Sequence, residues 1–399
     1  MNVHGTVAAG FEPVREVFRR NFTDRREIGA ACAVFLRGEN VVDLWGGVRD
    51  GTTGEPWQED TMTVVFSSTK GMSAIAMAVA HARGLFDYDE PVAKYWPEFA
   101  QHGKGAITVR TLLSHQAGLC AVDDPLDVRD LADLDRVARA LAAQKPAWRP
   151  GDRHGYHAIS LGFYEGEILR RVDPEKRSLG RFFHDEVASP LGIEFYIGLP
   201  SSVPGGRIAR TKGFELYELG LHVHTMPWRF VLGMFNRHSL TKRAFDNPRL
   251  TNPAQLDEPA FRAVEIPASG GIGSARALAR AYSALALGGA ELGIDSWTLH
   301  ALTKPAAPPR LGRRDVVLGV DTAYCLGFLK PCAGWCRFGT SDTAFGTPGA
   351  GGSFGFADPD IGLGFGYVMN RMGFHLADDP REKALRDATY RCVEAVRRA

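Results

Sequence analysis

Three serines in this 399-residue chain stand where a hydroxyl could act as a nucleophile. The first opens Ser67-Ser68-Thr69-Lys70, an S-x-x-K pattern. It follows the apolar Val64-Val65-Phe66 and leads into an apolar run, so the spacing predicts a helix whose first turn carries Ser67 and Lys70 on one face, about 5–6 Å apart between β-carbons. That is working distance for a proton. The free N–H groups and partial positive charge of a helix N-terminus would stabilise an alkoxide or oxyanion there and help depress the lysine pKa. The same pattern recurs at Ser239-Leu240-Thr241-Lys242, where polar and basic neighbours leave Lys242 exposed and protonated, hence no base. The third serine lies in Gly351-Gly352-Ser353-Phe354-Gly355 and matches a G-x-S-x-G elbow, which needs a strand before it and a helix after it. A glycine-rich stretch precedes this one and strand-like residues follow, so a strand edge that lets a ligand approach the backbone is the better reading. Against catalysis at Ser67 stands the ordinary N-cap, a role serine commonly fills.

Residues 11–21 have the spacing of an amphipathic helix, and residues 30–47 read as two apolar strands around a polar turn from Arg37 to Asn40. From 67 to about 190 the period is helical, broken by turn signals at Gly84, Gly118, Pro150-Gly151 and Asp173-Pro174. The stretch 200–268, rich in Pro, Gly, Asn and Arg, reads as long connections. A helix at 274–289 follows. Then come short strands in TAYCLGFLK, WCRFG, GSFGFAD and IGLGFGYVMN, and a last helix from about 379. Strands at both ends predict an α/β fold, with one antiparallel sheet built from the two termini, flanking terminal helices and an inserted, mainly helical domain. The expected division is 1–66 with 265–399 for the sheet domain and 67–264 for the helical one, with a cleft between them.

The totals exclude other classes. Lys plus Arg number 47 against 46 for Asp plus Glu, with neither sign gathered into a run, so nothing steers the protein toward nucleic acid or an anionic membrane. The N-terminal residues lack a signal-peptide core and no apolar run reaches membrane length, which reads as cytoplasmic. In a reducing compartment the six cysteines are expected as free buried thiols, and Cys332 and Cys336 have no second pair with which to hold zinc. His222 and His224 alternate like strand neighbours, without a third ligand at a telling distance. Nothing speaks to oligomeric state.

Two further stretches complete a pattern with Ser67 and Lys70. One is Pro150-Gly151-Asp152-Arg153-His154-Gly155-Tyr156-His157-Ala158, a turn with a tyrosine just before a helix; the other is Gly346-Thr347-Pro348-Gly349-Ala350-Gly351-Gly352, leading into a strand. Alone, Tyr156 would be a boundary aromatic with its hydroxyl at the surface. In this order and at these separations the three elements resemble the serine β-lactamase and penicillin-binding-protein superfamily, and within it the family VIII carboxylesterases, which look like class C β-lactamases. The stretches Val109 to Leu119 and Glu265 to Ser274 read the same way, and the resemblance runs from about residue 25 to 375.

The resemblance implies a nucleophilic Ser67, a Lys70 that shares its proton, and a Tyr156 whose phenolic oxygen acts as base. It implies an oxyanion hole from the backbone N–H groups of Ser67 and Ala350, with Thr347, Gly349 and His157 placed for substrate contact. In physical terms, serine needs a neighbouring base, a charged lysine would lower the tyrosine pKa, and two aimed donors stabilise a tetrahedral intermediate. Two positions depart from the family pattern. Ala158 stands where members often carry Asn, which removes a polar contact to a substrate amide. Thr347 stands where they carry Lys, His or Trp, and an uncharged threonine cannot pair with a carboxylate. The expectation is a carboxylesterase for small neutral acyl esters, without metal or organic cofactor. The alternatives are a β-lactamase or D-amino-acid amidase on the same scaffold, and a non-catalytic binding or assembly protein.

Overall fold

The computed structural model describes residues 2–248 and 253–398. Its main sheet draws strands from both ends of the chain. From the N-terminal end come β1 (Val3–Val7), β2 (Gly29–Leu36) and β3 (Glu39–Gly47). Three short strands, β4 (Thr63–Val64), β5 (Phe195–Ile197) and β6 (Gly271–Gly273), form a separate sheet in the order β4-β6-β5. The C-terminal end supplies β7 (Tyr324–Cys325), β8 (Phe328–Leu329), β9 (Phe345–Pro348), β10 (Phe354–Asp358) and β11 (Leu363–Met369). The eight-stranded order is β1-β3-β2-β11-β10-β9-β8-β7, antiparallel throughout, so the termini meet where β2 pairs with β11. The β2–β3 turn is tight because Arg37 and Gly38 both take positive φ.

The alternation in β11 fixes what covers each face. Leu363, Phe365 and Tyr367 point to one side, into a core closed by the packed helices Glu12–Asp24 and Pro380–Arg398. Gly364 and Gly366 point to the other, where the Ala275–Ala286 helix lies so close that a Cβ on Gly364 would stand 2.4 Å from Ala279 O, and one on Gly366 2.2 Å from Ala275 O. A second, larger core continues from that helix through Ser68–Ala82 and Ser160–Val172 into the helical middle of the chain.

Two expectations differ from the structure. WCRFG is not a strand of the sheet: Cys332 and Cys336 form an isolated bridge within one loop. The stretch 200–268 is not only connection, since Leu216–His222, Trp228–Phe235, Leu240–Phe245 and Pro259–Arg262 are helical. Each is at most eight residues, too short for a period to stand out from the Pro and Gly around it. His222 and His224 accordingly lie at a helix end and in the following turn, not on a strand. All six cysteines are buried and free. No helix among the described residues is long and apolar enough to cross a membrane.

Candidate active site

After β4, Val65 still donates its N–H to Gly271 O (2.9 Å), and Phe66 then takes a φ of +49°. A left-handed conformation is a genuine outlier for a bulky residue, and here it turns the chain from strand into the Ser68–Ala82 helix. Ser67 holds the N-cap position, yet its side chain caps nothing. Its neighbours do the local bonding: Thr69 Oγ1 donates to Phe66 O and accepts the Gly271 N–H, and Ser68 Oγ donates to Thr347 O (3.0 Å). The Ser67 hydroxyl is left to Lys70 Nζ at 3.3 Å and to the Tyr156 hydroxyl.

Lys70 is fully buried, and two carbonyls hold its Nζ: Ala158 O at 2.6 Å and Ala268 O at 2.8 Å. Those two acceptors take two N–H groups and leave the third direction for Ser67. The arrangement serves an ammonium, and equally a neutral amine whose lone pair faces the seryl O–H. Desolvation brings the lysine pKa down to about 7, with the Glu165 carboxyl pulling the other way. Such a group takes and returns a proton at neutral pH.

Tyr156 lies with its ring 4.7 Å from Lys70 Nζ. Its backbone N–H donates to Asp315 Oδ1 (3.2 Å), and the same carboxyl accepts from Val317 N, Leu318 N and the Tyr324 hydroxyl. Burial raises the phenol well above its ordinary pKa, opposed in part by the bond with Ser67. This corrects the expectation that a charged Lys70 lowers it. The ammonium sits over the ring face and gives its N–H groups to carbonyls, so desolvation prevails and Tyr156 rests as a phenol.

The backbone N–H groups of Ser67 and Ala350 donate to no protein acceptor among the described residues, and both residues line one cleft of about 580 Å³. β9 is tied beside the helix N-terminus by the Ser68 bond to Thr347 O and by Ser353 Oγ, which donates to Val65 O (2.7 Å). Gly349 lies within this seam and does not line the cleft. A Cβ there would stand 2.3 Å from Val65 O, so its role is clearance, not substrate contact. Thr347 does line the cleft, beside Tyr282. Phe245, Leu318, Leu329, Trp335 and Leu376 supply most of the remaining wall, and Lys70 is its one charged side chain among the described residues.

His157 is fully buried and lies behind the wall. Its Nδ1–H donates to Gly155 O (2.7 Å), its Nε2 accepts the Leu119 N–H (3.2 Å), and burial drops its pKa to about 3. His115, whose Nδ1 accepts the His157 N–H (3.0 Å), reaches the cleft instead. Burial and the nearby Lys70 keep it neutral. Its signal was present in the Val109 to Leu119 stretch. Asp315, in contrast, sits in a loop without any pattern that marks it.

The competing serines are accounted for. Ser239 caps the Leu240–Phe245 helix by accepting the Lys242 N–H (2.9 Å), and Lys242 pairs with Asp246. Ser353 is buried, gives its hydroxyl proton to Val65 O with Ser68 Oγ 3.1 Å away, and is followed by a strand. Among the described residues no group of three or more His, Cys, Asp or Glu is placed to hold a metal ion.

The β-lactamase family model matches residues 14–390. The esterase/β-lactamase LipL of Mycobacterium tuberculosis (strain ATCC 25618 / H37Rv) is 33% identical over 371 residues, covering 93% of this chain and 83% of that protein. A family VIII carboxylesterase crystal structure superposes with a TM-score of 0.86 at 38% identity, covering 98% of this chain and 100% of that one. A penicillin-binding-protein homologue from Caulobacter crescentus follows with a TM-score of 0.85 at 36% identity, over 98% and 100% of the two chains.

Proposed function

The chain belongs to the β-lactamase family, and from that premise we propose that it is a serine carboxylesterase acting on small neutral acyl esters through an acyl-enzyme on Ser67. The observation that carries the reading is the Ser67 hydroxyl itself, which caps nothing and is bonded to Lys70 Nζ and to Tyr156. Neutral Lys70 takes the proton as Oγ attacks the ester carbonyl, and the N–H groups of Ser67 and Ala350 receive the oxyanion. The Tyr156 phenol gives its proton to the leaving alkoxide and is restored from Lys70. Water then enters by the reverse proton path, leaving a carboxylic acid and free Ser67. No step calls for a metal or an organic cofactor.

The cleft favours a neutral acyl group. Its one ammonium is already held by two carbonyls, Thr347 offers no charge, and Ala158 offers only a carbonyl that Lys70 occupies. A substrate carboxylate would therefore lie in an apolar site without a partner, at a cost of several kcal/mol (~2 or more). The names of the most similar proteins, an esterase/β-lactamase and a family VIII carboxylesterase, support the same class. Six buried thiols fit a reducing cytoplasm. The test is twofold. A fluorophosphonate should label Ser67, located by mass spectrometry, and kcat/KM for a short p-nitrophenyl ester should exceed that for a cephalosporin. A better cephalosporin, or a label elsewhere, ends the proposal.

A further inference from the structure

The Ala350 N–H that receives the oxyanion belongs to a glycine-rich turn, residues 349–353, and a buried arginine grips that turn from behind. Arg381 lies in the first turn of the Pro380–Arg398 helix and is buried together with Glu27 and Asp379. All five of its guanidinium N–H groups are used. Nε and one Nη2 proton go to Asp379 (2.9 and 3.0 Å), and the two Nη1 protons go to Glu27 Oε1 (3.1 Å) and Arg371 O (2.8 Å). The second Nη2 proton goes to Gly351 O at 2.6 Å, the shortest of the five bonds. Replacing a buried ion cluster by apolar residues is often neutral or stabilising, so stability alone is a weak reason for its presence. Its contact with the turn is the better reason.

From Gly351 the hydrogen bonds run on toward the cleft. A trans peptide is planar and points its C=O and N–H in opposite directions. The peptide whose oxygen Arg381 holds carries the Gly352 N–H, which donates to Gly349 O (3.1 Å). The peptide of that second oxygen carries the Ala350 N–H, which has no acceptor among the described residues. The guanidinium and two peptides thus form one chain of bonds whose free donor is at the cleft. The turn has little room to shift: Gly351 and Gly352 stand at φ of +86° and +114°, and a Cβ on Gly352 would be 2.9 Å from Asp379 Cγ.

We propose that Arg381 is a positioning residue of the oxyanion hole, fixing the Ala350 N–H and polarising it through the two peptides between them. A charged donor strengthens the bond it makes, and each bond in a chain strengthens the next. Charge developing on the substrate oxygen then meets a donor already set in place.

The inference rests on Ala350 as an oxyanion donor, so one measurement is made without turnover. In protein carrying 15N-alanine, the Ala350 amide is assigned by its loss in Ala350→Gly. Arg381→Lys keeps a charge against Glu27 and Asp379 but cannot make all five bonds. In it the Ala350 amide proton should move upfield. Its kcat for a p-nitrophenyl ester should fall about tenfold with KM within about twofold, a part of the roughly 10²–10³-fold that an oxyanion donor is worth. Arg386→Lys is the control. Arg386 is also buried on this helix, faces Asp378 and Glu382, and donates to Arg337 O, away from the turn. That variant should lower the melting temperature and leave both readouts in place. Gly373 N–H still holds Gly351 O (2.9 Å) in Arg381→Lys, so the turn should persist; if the variant does not fold, Asp379→Asn, which loosens the same guanidinium, stands in. An unmoved amide or an undiminished kcat in the folded variant, or an equal loss in Arg386→Lys, overturns the proposal. A displaced amide in a protein without esterase activity would count against the esterase reading and leave the hold of Arg381 on the turn intact.

Discussion

Lys70 Nζ stands 3.3 Å from Ser67 Oγ, and what keeps it there does not involve Ser67. The carbonyls of Ala158 and Ala268 hold the amine from two other segments of the chain, so the contact survives whatever happens to the hydroxyl. Removing the serine and removing the lysine should therefore differ. Ser67→Ala should lose ester hydrolysis and labelling while melting as the parent does. Lys70→Met should lower kcat/KM by about 10²–10⁴-fold and also lower the melting temperature, because two buried carbonyls lose their donor at about 1–3 kcal/mol each. Steady-state rates and thermal melts of the two variants check this.

The pH dependence separates Lys70 from Tyr156 as the base. If neutral Lys70 takes the Ser67 proton, kcat/KM rises with pH through about 7 and levels above it, because the active form is the deprotonated one. A profile that falls through the same region would mean that the ammonium is the active form and the phenolate the base. Rates on a neutral p-nitrophenyl ester from pH 5 to 9, corrected for spontaneous hydrolysis, decide between them.

The seam between β9 and the helix N-terminus should respond as structure and not as chemistry. Ser353 Oγ donates to Val65 O and lies 3.1 Å from Ser68 Oγ, so Ser353→Ala should cost about 1–3 kcal/mol of stability and leave fluorophosphonate labelling at Ser67. Gly349→Ala is harsher, since its Cβ must displace Val65 O or the turn after β9 that carries the Ala350 N–H. It should lower both the melting temperature and kcat, the latter by about 10²-fold for a displaced oxyanion donor. Active-site titration with the labelled inhibitor distinguishes fewer sites from slower ones.

What the sequence makes legible follows from periodicity and spacing. The period-two alternation of β11 and the helical period after Ser67 announce the sheet and the buried helix, and the i, i+3 spacing alone puts Lys70 beside Ser67. Tyr156 and Ala350 carry no such mark and are legible only through resemblance to a family. His157 and His115 show the limit most clearly. Adjacent to Tyr156 in sequence, His157 points away from the cleft, while His115, far off in sequence, fills the place beside the phenol with ring centroids 5.1 Å apart. Which of two neighbouring side chains faces a cavity is decided by the course of the backbone at Tyr156, whose N–H is held by Asp315 from a distant loop. Glu165 is hidden for a related reason: on a helix of mixed polarity nothing distinguishes a carboxyl that faces the core from one that faces water.

The buried carboxyl of Glu165 has a consequence for stability. Its pKa is 4.5 in an unfolded chain and about 8 in the folded protein, so between those values the native state holds a proton that the unfolded state has lost. By linkage, the stability it contributes is full below 4.5 and is lost as pH rises through 8. Lys70 runs the other way: its contribution is present above 10.5 and lost as pH falls through about 7. Glu165→Gln removes the first of these contributions, so its stability relative to the parent should climb as pH is raised from 5 to 8, by about 1 kcal/mol or more. Urea unfolding at both ends of that range, with the change in unfolding free energy compared between the two proteins, measures the climb. A constant difference would mean that Glu165 is ionised in the native state throughout that range.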